Sequence, residues 1–499
     1  MMKNLFQKER WTLIPILLLG LIFIIRLIDE AKLLFYFPLD YHNDVSAYMA
    51  LLHFLKVCGF HNYCQYWFNG FTTFQFTSPG WFFFALPLYY IFSDVKITAY
   101  ASLIISFILS FFIINHFLKD KIDLKKRILM FLLIFANATA IGNFIRLGRP
   151  PILLGWTLFI LLFLYLIKKI DNPINKYAWI IIPLVSAALI LIHYIFLIFI
   201  PVIFLGCFII KDWREKIKII AMGLLSIVLS SFWLLPFLIN IKNSTILGFS
   251  QGTVILRKFS ELGILNNLMF ILVPLGLIIL YYLYSKQKSK NERLFHLPII
   301  VLSLLFLLKL TAFIPILDTI GHDHYIMLFI ILGSYFLVEI DFKKLSKALN
   351  NILKIAITLI SIASVLVTIF YTPWFVTPND QANKELKELI PHINGTLARS
   401  DFITETSYGK AYDSYIPIYY NKSIVFGWYY EETTNEYTSK YQILTNSIKE
   451  RNCKKTLEHM KILNVTNYLG YNEGCKFMMD KCNQKNYITS GKACLVYIS

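Results

Sequence analysis

Acidic residues are scarce in this chain of 499 residues. Only 30 Asp and Glu stand against 48 Lys and Arg, and charged residues of both signs make up 16% of the sequence. Hydrophobic residues make up 57% and aromatic residues 16%, with a mean hydropathy of +0.59. Because this apolar share exceeds that of ordinary soluble domains, the composition predicts a polytopic membrane protein.

The positive excess of +18 is not accompanied by any nucleic-acid-binding motif. Residues 375–499 hold 15 basic and 13 acidic residues, so nearly all of the excess lies in residues 1–374. There it is concentrated in short segments between apolar runs, as is typical of cytoplasmic loops. We therefore expect contact with membrane lipids and no nucleic-acid partner. The basic segments expected on the cytoplasmic side are the N-terminus, 119–127, 168–176, 211–218, 285–293 and 341–347.

The apolar runs between these segments predict about eleven membrane crossings in a multi-pass protein of the cell membrane. Residues 11–28 are long enough to be a retained first span that starts in the cytoplasm. The run 177–210 is roughly twice too long for one crossing, so we expect it to break near His193. Residues 80–93 are short and contain Pro87, which favours an in-plane or re-entrant helix. We predict an all-α transmembrane domain over 1–374, with an outer loop at 29–79 that carries juxtamembrane helices.

Residues 375–499 are expected to form an extracytoplasmic α/β domain. The segment "ANKELKELIPHI" has the pattern of a short amphipathic helix. The segments "SYIPIYY", "SIVFGWYY" and "ACLVYIS" are rich in residues that favour strands. No P-loop, dinucleotide fingerprint or metal-ligand spacing occurs in this part of the sequence, which gives no support to nucleotide-dependent or zinc-dependent chemistry there.

Cysteines are few and unevenly placed. Cys58 and Cys64 lie in the predicted outer loop, four more lie in the C-terminal domain, and Cys207 lies in a predicted span. Even numbers on both outer segments are compatible with disulfides outside the cell, although reduced thiols remain an alternative and the pairing is open.

The segment "DYHND" brings two of the rare acids, Asp40 and Asp44, next to the end of the first span, with His42 between them. A carboxylate pair there can act as a general base on an acceptor hydroxyl, bind a divalent cation, or cap the next helix. Asp44 directly precedes "VSAYMALLHFLK" and is well placed as an N-cap.

Three longer segments carry a resemblance to a known family. They are "NDVSAYMALLHFLKVCGF", "YWFNGFTTFQFTSPGWFFFALPLYYIF" and "RLGRPPILLGWTLFILLFLYL". Together they resemble the membrane glycosyltransferases of the GT-C superfamily, and within it the archaeal and bacterial membrane proteins labelled "6-pyruvoyl-tetrahydropterin synthase-related". The likeness covers about residues 10–170, and "SPG" at 78–80 departs from the double proline of many relatives. The pterin label itself has no support, because no soluble fold with the necessary histidine ligands is visible.

The resemblance implies transfer of a sugar from a polyprenyl-phosphate donor to a glycan, lipid or protein acceptor at the outer membrane face. It places the catalytic acid on Asp44, with Asp40 second and His42 as a neighbouring substrate-binding candidate. Such a transfer needs no cofactor, and a divalent cation such as Mg²⁺ or Mn²⁺ is compatible with it.

Positive charge is needed to stabilise the departing lipid phosphate. Arginine suits bidentate phosphate contact, which makes Arg149 in "RLGRPP" the first choice. Lys309 lies in the apolar run "LFLLKLTAF", where we expect a charge to face an interior cavity. His322 and His324 flank Asp323 in "GHDHY" and are further candidates for sugar or phosphate binding, or more weakly for a metal. The other cationic candidates are Arg146, Arg257 and Lys258.

Two functions of other classes remain open from the sequence. One is a transporter or flippase of lipid-linked saccharides, against which stands the lack of a visible internal repeat. The other is a noncatalytic assembly factor for surface polymers. Loss of activity in Asp44→Asn would separate an enzyme from both.

Overall fold

The computed structural model describes residues 10–37, 44–244, 256, 259–375, 380–400, 411–428 and 432–498. Most of this chain is helical. The helices are α1 Leu13–Glu30, α2 Val45–Val57, α3 Gly80–Phe92, α4 Val95–Leu118, α5 Leu124–Phe135, α6 Ala138–Arg146, α7 Pro150–Lys168, α8 Ala178–Ile192, α9 Phe196–Ile210, α10 Trp213–Asn240, α11 Phe259–Ser285, α12 Lys290–Leu307, α13 His322–Glu339, α14 Lys347–Phe370, α15 Asp380–Leu389, α16 Tyr412–Tyr420, α17 Asn435–Lys449, α18 Cys453–Ile462 and α19 Glu473–Lys476. The strands are β1 Tyr63–Cys64, β2 Phe71–Thr72, β3 Leu397–Arg399, β4 Asn467–Tyr471, β5 Tyr487–Ser490 and β6 Ala493–Tyr497.

Within the described ranges, five helices are long and apolar enough to cross a membrane: α4, α7, α10, α11 and α14. The helices α5 and α6 meet at a bend of 50° and would add a sixth crossing as one broken span. The bend lies between Phe135 and Ala138, within the apolar run 128–146. The protein is therefore rich in apolar membrane-length helices, and the figure of eleven crossings stays a prediction.

The chain divides into two compact units, each assembled from separate stretches of sequence. The first unit comprises Met1–Asp29, Leu103–Leu234 and Phe249–Pro373, and it contains most of the apolar helices. The second comprises Glu30–Ser102, Leu235–Gly248 and Trp374–Ser499. The outer loop and the C-terminal segment therefore share one unit although more than 270 residues separate them in sequence.

The first unit is organised around α7, whose membrane-length window is 89% buried, against 17% for α11 and α14. Its apolar residues cover all faces of the helix, which is the pattern of a helix surrounded by others. Pro150 and Pro151 occupy its first turn, where the missing N–H groups need no helical partner. The helices α9 and α12 approach closely at Gly206, where an added Cβ would lie 2.1 Å from the Phe295 carbonyl oxygen.

The long run 177–210 breaks where the sequence predicts. Helix α8 ends at Ile192, His193 adopts an extended backbone, and α9 begins at Phe196. The prediction of two short helices is confirmed. The 13-residue helix α3 is likewise separate from α4.

In the second unit, a four-stranded mixed sheet follows the order β3-β4-β6-β5. Strand β3 pairs with β4 in parallel, and the other neighbours are antiparallel. Two disulfides, Cys453–Cys482 and Cys475–Cys494, lie in the hydrophobic core beside this sheet. A third, Cys58–Cys64, closes the outer loop, while Cys207 is unpaired and buried.

The segment 63–72 packs against the C-terminal segment through main-chain carbonyl groups. The indole Nε1 of Trp67 donates to the Asp413 carbonyl oxygen at 2.7 Å, and the Asn69 side chain donates to the Leu463 carbonyl oxygen at 2.6 Å. The main-chain N–H of Ile424 donates to the Tyr66 carbonyl oxygen at 2.9 Å. These contacts hold residues 63–72 on the surface of the C-terminal segment.

The C-terminal segment differs in two elements from the sequence prediction. The first is "SIVFGWYY", whose described residues 423–428 form no strand and contribute only an isolated bridge between Ile424 and Leu397. "ACLVYIS" contains strand β6, and "ANKELKELIPHI" contains helix α15, as predicted. The second is "SYIPIYY", which is not a strand but most of helix α16. Its buried residues Tyr412, Asp413, Ile416 and Pro417 recur one helical turn apart, so tertiary burial of that face outweighs the strand preference of tyrosine and isoleucine.

Candidate functional site

Asp44 stands immediately before helix α2. Its main-chain carbonyl oxygen accepts hydrogen bonds from the N–H groups of Ala47 at 3.0 Å and Tyr48 at 3.3 Å, so the helix begins there. Its side chain makes no capping hydrogen bond. Instead, Oδ1 accepts from the indole Nε1 of Trp428, 3.3 Å away. The capping interpretation therefore fails for the side chain, although the position itself is at the helix start.

The helix that Asp44 precedes is packed on one side by aromatic residues. The Tyr48 ring lies 6.0 Å from Trp81 and 6.3 Å from Phe82, measured between ring centroids. Farther along the helix, the Nδ1 atom of His53 lies 3.2 Å from the Tyr89 hydroxyl. Burial, followed by the nearby Lys56 ammonium group, lowers the pKa of His53 to about 4. His53 is therefore uncharged at neutral pH and adds no positive charge to this helix.

A second group of predicted residues meets in the first unit. Arg149, directly before α7, forms an ion pair with Asp323 in the first turn of α13, with Nη1 and Oδ2 3.2 Å apart. Both side chains keep part of their surface exposed, 27% for Arg149 and 22% for Asp323. The Asn143 side chain lies 3.5 Å from the same guanidinium nitrogen. Arg149 is thus held in place by an acid 174 residues away and still presents part of its surface.

The histidines of "GHDHY" point to different neighbours. The ring of His324 lies 5.4 Å from that of His193, at the break between α8 and α9. The ring of His322 stacks on Phe270 at 5.4 Å. Throughout the described ranges, no group of three or more His, Cys, Asp and Glu side chains is arranged to hold a metal ion.

Two other predicted cations have distinct settings. Arg146 ends α6 and is 5% exposed. The apolar neighbours of Lys309 in the sequence suggest a position inside a helix, but the structure places Lys309 outside one. Helix α12 ends at Leu307, and Lys309 adopts a left-handed backbone with φ 61° in the turn that follows. Lys309 therefore lies beyond the end of α12, and its expected position facing an interior cavity stays a prediction.

Four predicted residues lie outside the described residues: Asp40, His42, Arg257 and Lys258. One residue that sequence reasoning missed is Trp428, which lies in "SIVFGWYY". Trp428 is separated from Asp44 by 384 positions, and no local pattern links them. The sequence names His193 only as the expected break point of 177–210, and its proximity to His324 depends on helix packing.

No protein-family model and no curated protein matches the sequence. Solved structures do match. The crystal structure of the Archaeoglobus fulgidus oligosaccharyltransferase in complex with Zn and sulfate superposes with a TM-score of 0.56 at 11% identity, over 90% of this chain and 68% of that one. Its apo form gives 0.54 at 9% identity, over 93% and 70%. The chain therefore shares the fold of these solved structures.

A further match is the archaeal oligosaccharyltransferase AglB from A. fulgidus in complex with an inhibitory peptide and a dolichol-phosphate. It has a TM-score of 0.47 at 10% identity, over 96% of this chain and 74% of that one. At these identities the likeness concerns the fold. The shared fold agrees with the fold that the GT-C resemblance implies, and the narrower relation to the pterin-labelled proteins stays a prediction.

Proposed function

We propose that this protein is an integral-membrane glycosyltransferase. In this proposal it moves a sugar from a polyprenyl-phosphate-linked donor to a glycan, lipid or protein acceptor on the outer face of the membrane. The observation that carries it is the Asp44 carboxylate, which does not cap the helix that follows it and accepts a hydrogen bond from Trp428. The oligosaccharyltransferase fold supports the reaction class.

The proposed chemistry assigns Asp44 as general base. Its carboxylate takes the proton of the acceptor hydroxyl while the hydroxyl oxygen attacks the anomeric carbon of the donor sugar. The bond between that carbon and the phosphate oxygen breaks, and the lipid phosphate leaves with the bonding electron pair. Asp40 is the second catalytic candidate.

The departing phosphate needs stabilisation by positive charge. Arg149 is the first candidate because Asp323 fixes its guanidinium while part of its surface stays exposed. A fixed guanidinium has less conformational entropy to lose when it binds a phosphate. The remaining proposed substrate-binding residues are His42, Arg146, Arg257, Lys258, Lys309, His322 and His324.

We propose a topology to match this chemistry. The N-terminus is cytoplasmic, and residues 375–499 are extracytoplasmic. The disulfides Cys58–Cys64, Cys453–Cys482 and Cys475–Cys494 support this arrangement, because disulfides persist in oxidising compartments.

The proposal as a whole is tested by a transfer assay. Membranes containing the chain are incubated with a panel of radiolabelled polyprenyl-phosphate sugars, and label in glycan, lipid and protein fractions is measured. Transfer that depends on Asp44 supports the glycosyltransferase. If no donor in the panel gives transfer, the enzyme proposal fails and a transporter or assembly role becomes the better explanation.

Replacement of Arg149 by glutamine is expected to lower kcat/KM for the donor about 100-fold, since one charge-assisted phosphate contact is lost. Arg149→Lys should restore only part of this loss because lysine cannot make the bidentate contact. The measurement is initial transfer rate against donor concentration.

Arg127→Gln is the matched control for Arg149. It lies in the same unit, and its Nη1 donates to the Asn115 side chain at 2.6 Å without an acidic partner in that contact. We expect it to keep the wild-type rate. Equal losses in Arg127→Gln and Arg149→Gln would contradict a specific role of Arg149.

Replacement of Trp428 by phenylalanine removes the Nε1–H group that contacts Asp44 and keeps an aromatic ring. We expect kcat to fall about tenfold with the KM for the donor unchanged, because the base loses its orientation and a hydrogen bond to a charged group is lost. Tyr437→Phe is the control, since it removes a donor to the Val425 carbonyl oxygen in the same region. A rise in KM with unchanged kcat would show that Trp428 acts on donor binding instead.

A further inference from the structure

A groove of about 430 Å³ opens on the second unit beside the segment that precedes "DYHND". One wall is formed by Phe35, Tyr36 and Phe37 and the other by one face of α15. Its size lies within the range of small-ligand sites. The residues that line the groove are Phe35, Tyr36, Phe37, Asn383, Lys384, Lys387 and Glu388.

The aromatic wall offers open ring surface on a fixed base. The side chain of Phe35 is 77% exposed and that of Tyr36 is 43% exposed. Phe37 is buried, and its ring packs against Tyr415 and Tyr419 with centroids 5.5 and 6.0 Å away. Exposed aromatic rings offer flat apolar faces that suit the C–H faces of sugar rings.

The opposite wall carries polar groups whose positions are fixed. The Lys387 ammonium donates to the Phe37 carbonyl oxygen at 3.3 Å and lies 4.9 Å from the Tyr415 ring centroid. The buried Asn383 side chain accepts a hydrogen bond from the Tyr412 hydroxyl. Glu388 accepts from the Ser490 hydroxyl at 2.6 Å. The α15 wall is therefore pre-organised rather than assembled around a ligand.

The charges on the α15 wall favour a neutral, hydroxyl-rich ligand over a phosphate or an anionic headgroup. A site for a bare phosphate or an anionic lipid headgroup gains from cations and loses from a carboxylate in the lining. Here Glu388 stands next to Lys384 and Lys387, so hydrogen-bond donors and acceptors occur together. A ligand rich in hydroxyl groups needs both kinds of partner, because each hydroxyl donates one hydrogen bond and accepts others.

We infer that this groove is a saccharide-binding site in which Phe35 and Tyr36 stack on sugar rings and the α15 side chains bind sugar hydroxyls. The inference rests on the proposed function, since it gives the enzyme a subsite for the glycan part of a donor or acceptor. It is separate from Asp44, whose side chain is bound by Trp428.

The test is saccharide binding to the full-length Asp44→Asn chain in detergent micelles. Maltotriose, N,N′-diacetylchitobiose and mannobiose are the probes, and saturation-transfer NMR gives the affinity. We expect at least one probe to bind, and Phe35→Ala or Tyr36→Ala to weaken that binding about tenfold or more. Phe370→Ala is the matched control, because it removes an equally exposed ring, 73% exposed, at the end of α14 in the other unit.

The inference is overturned if none of the probes binds, or if Phe35→Ala and Phe370→Ala have equal effects. It is also overturned if dihexanoyl phosphatidylglycerol binds in place of the saccharides and the binding is lost in Lys387→Met, because the groove would then bind anionic headgroups. Failure of the proposed function looks different. If the wild-type chain binds saccharides through these rings but transfers no sugar, the binding site is supported and the glycosyltransferase proposal fails. If it transfers sugar but shows no such binding, the glycosyltransferase proposal is supported and the binding site fails.

Discussion

Asp44→Asn is expected to lower sugar transfer by roughly 10²- to 10⁴-fold, the usual contribution of a positioned general base. Asparagine has almost the same shape as aspartate, and its side-chain oxygen can still accept the hydrogen bond from Trp428. It cannot take a proton from an acceptor hydroxyl. The loss should therefore appear in kcat, with unchanged protein abundance and an unchanged KM for the donor. The measurement is label transfer in membranes that contain equal amounts of each chain.

Asp94→Asn is the control for this substitution. Asp94 belongs to the same unit and caps α4, with Oδ1 accepting from the main-chain N–H groups of Lys96 at 2.7 Å and Ile97 at 3.3 Å. Asparagine caps helices as well as aspartate does, so this variant should keep both fold and rate. Activity retained by Asp44→Asn would remove Asp44 as the base. Asp40, which stands second in the proposal, would then be the next carboxylate to replace.

The second large effect concerns stability. Arg399 at the end of β3 and Asp413 at the start of α16 form a buried bidentate pair, with Nε–Oδ1 and Nη2–Oδ2 distances of 2.5 and 2.7 Å. Asp413→Ala removes the carboxylate that pairs with the buried guanidinium, which costs about 3 to 5 kcal/mol in unfolding free energy. For a unit of this size we expect the melting midpoint to fall by roughly 6 to 20 °C. Thermal unfolding in detergent, followed by tryptophan fluorescence, measures it.

Two further variants separate the charge effect from lost packing. Replacement of both partners by apolar residues, Arg399→Met with Asp413→Leu, should recover most of the stability, because no unpaired buried charge remains. Lys440→Met breaks the exposed pair with Glu436 on α17 and should leave the midpoint unchanged. An Asp413→Ala midpoint equal to that of the wild type would show that the buried pair adds nothing to the fold.

The local patterns of the sequence predicted several elements well. The excess length of 177–210 indicated two helices, and the structure breaks the run at His193. The amphipathic period of "ANKELKELIPHI" corresponds to α15. Length and periodicity are properties of a short stretch, so these elements did not depend on distant residues.

Predictions that needed distant partners were less secure. "SYIPIYY" was predicted as a strand, yet its helical face is buried in α16. Lys309 was expected within an apolar run, and α12 ends two residues before it. For "SYIPIYY", burial of one helix face outweighed the local strand preference.

The sequence by itself determined that this is an apolar, helix-rich membrane protein with a rare acid at the start of a helix after the first apolar run. Hydropathy and charge are properties of short stretches, so both can be read directly from the amino-acid sequence. Only the tertiary structure decided that the Asp44 side chain is bound by Trp428 rather than used as a cap, and that Arg149 is held by Asp323. These pairs are 384 and 174 positions apart, and contacts of that kind arise from the packing of whole units, which no local pattern encodes.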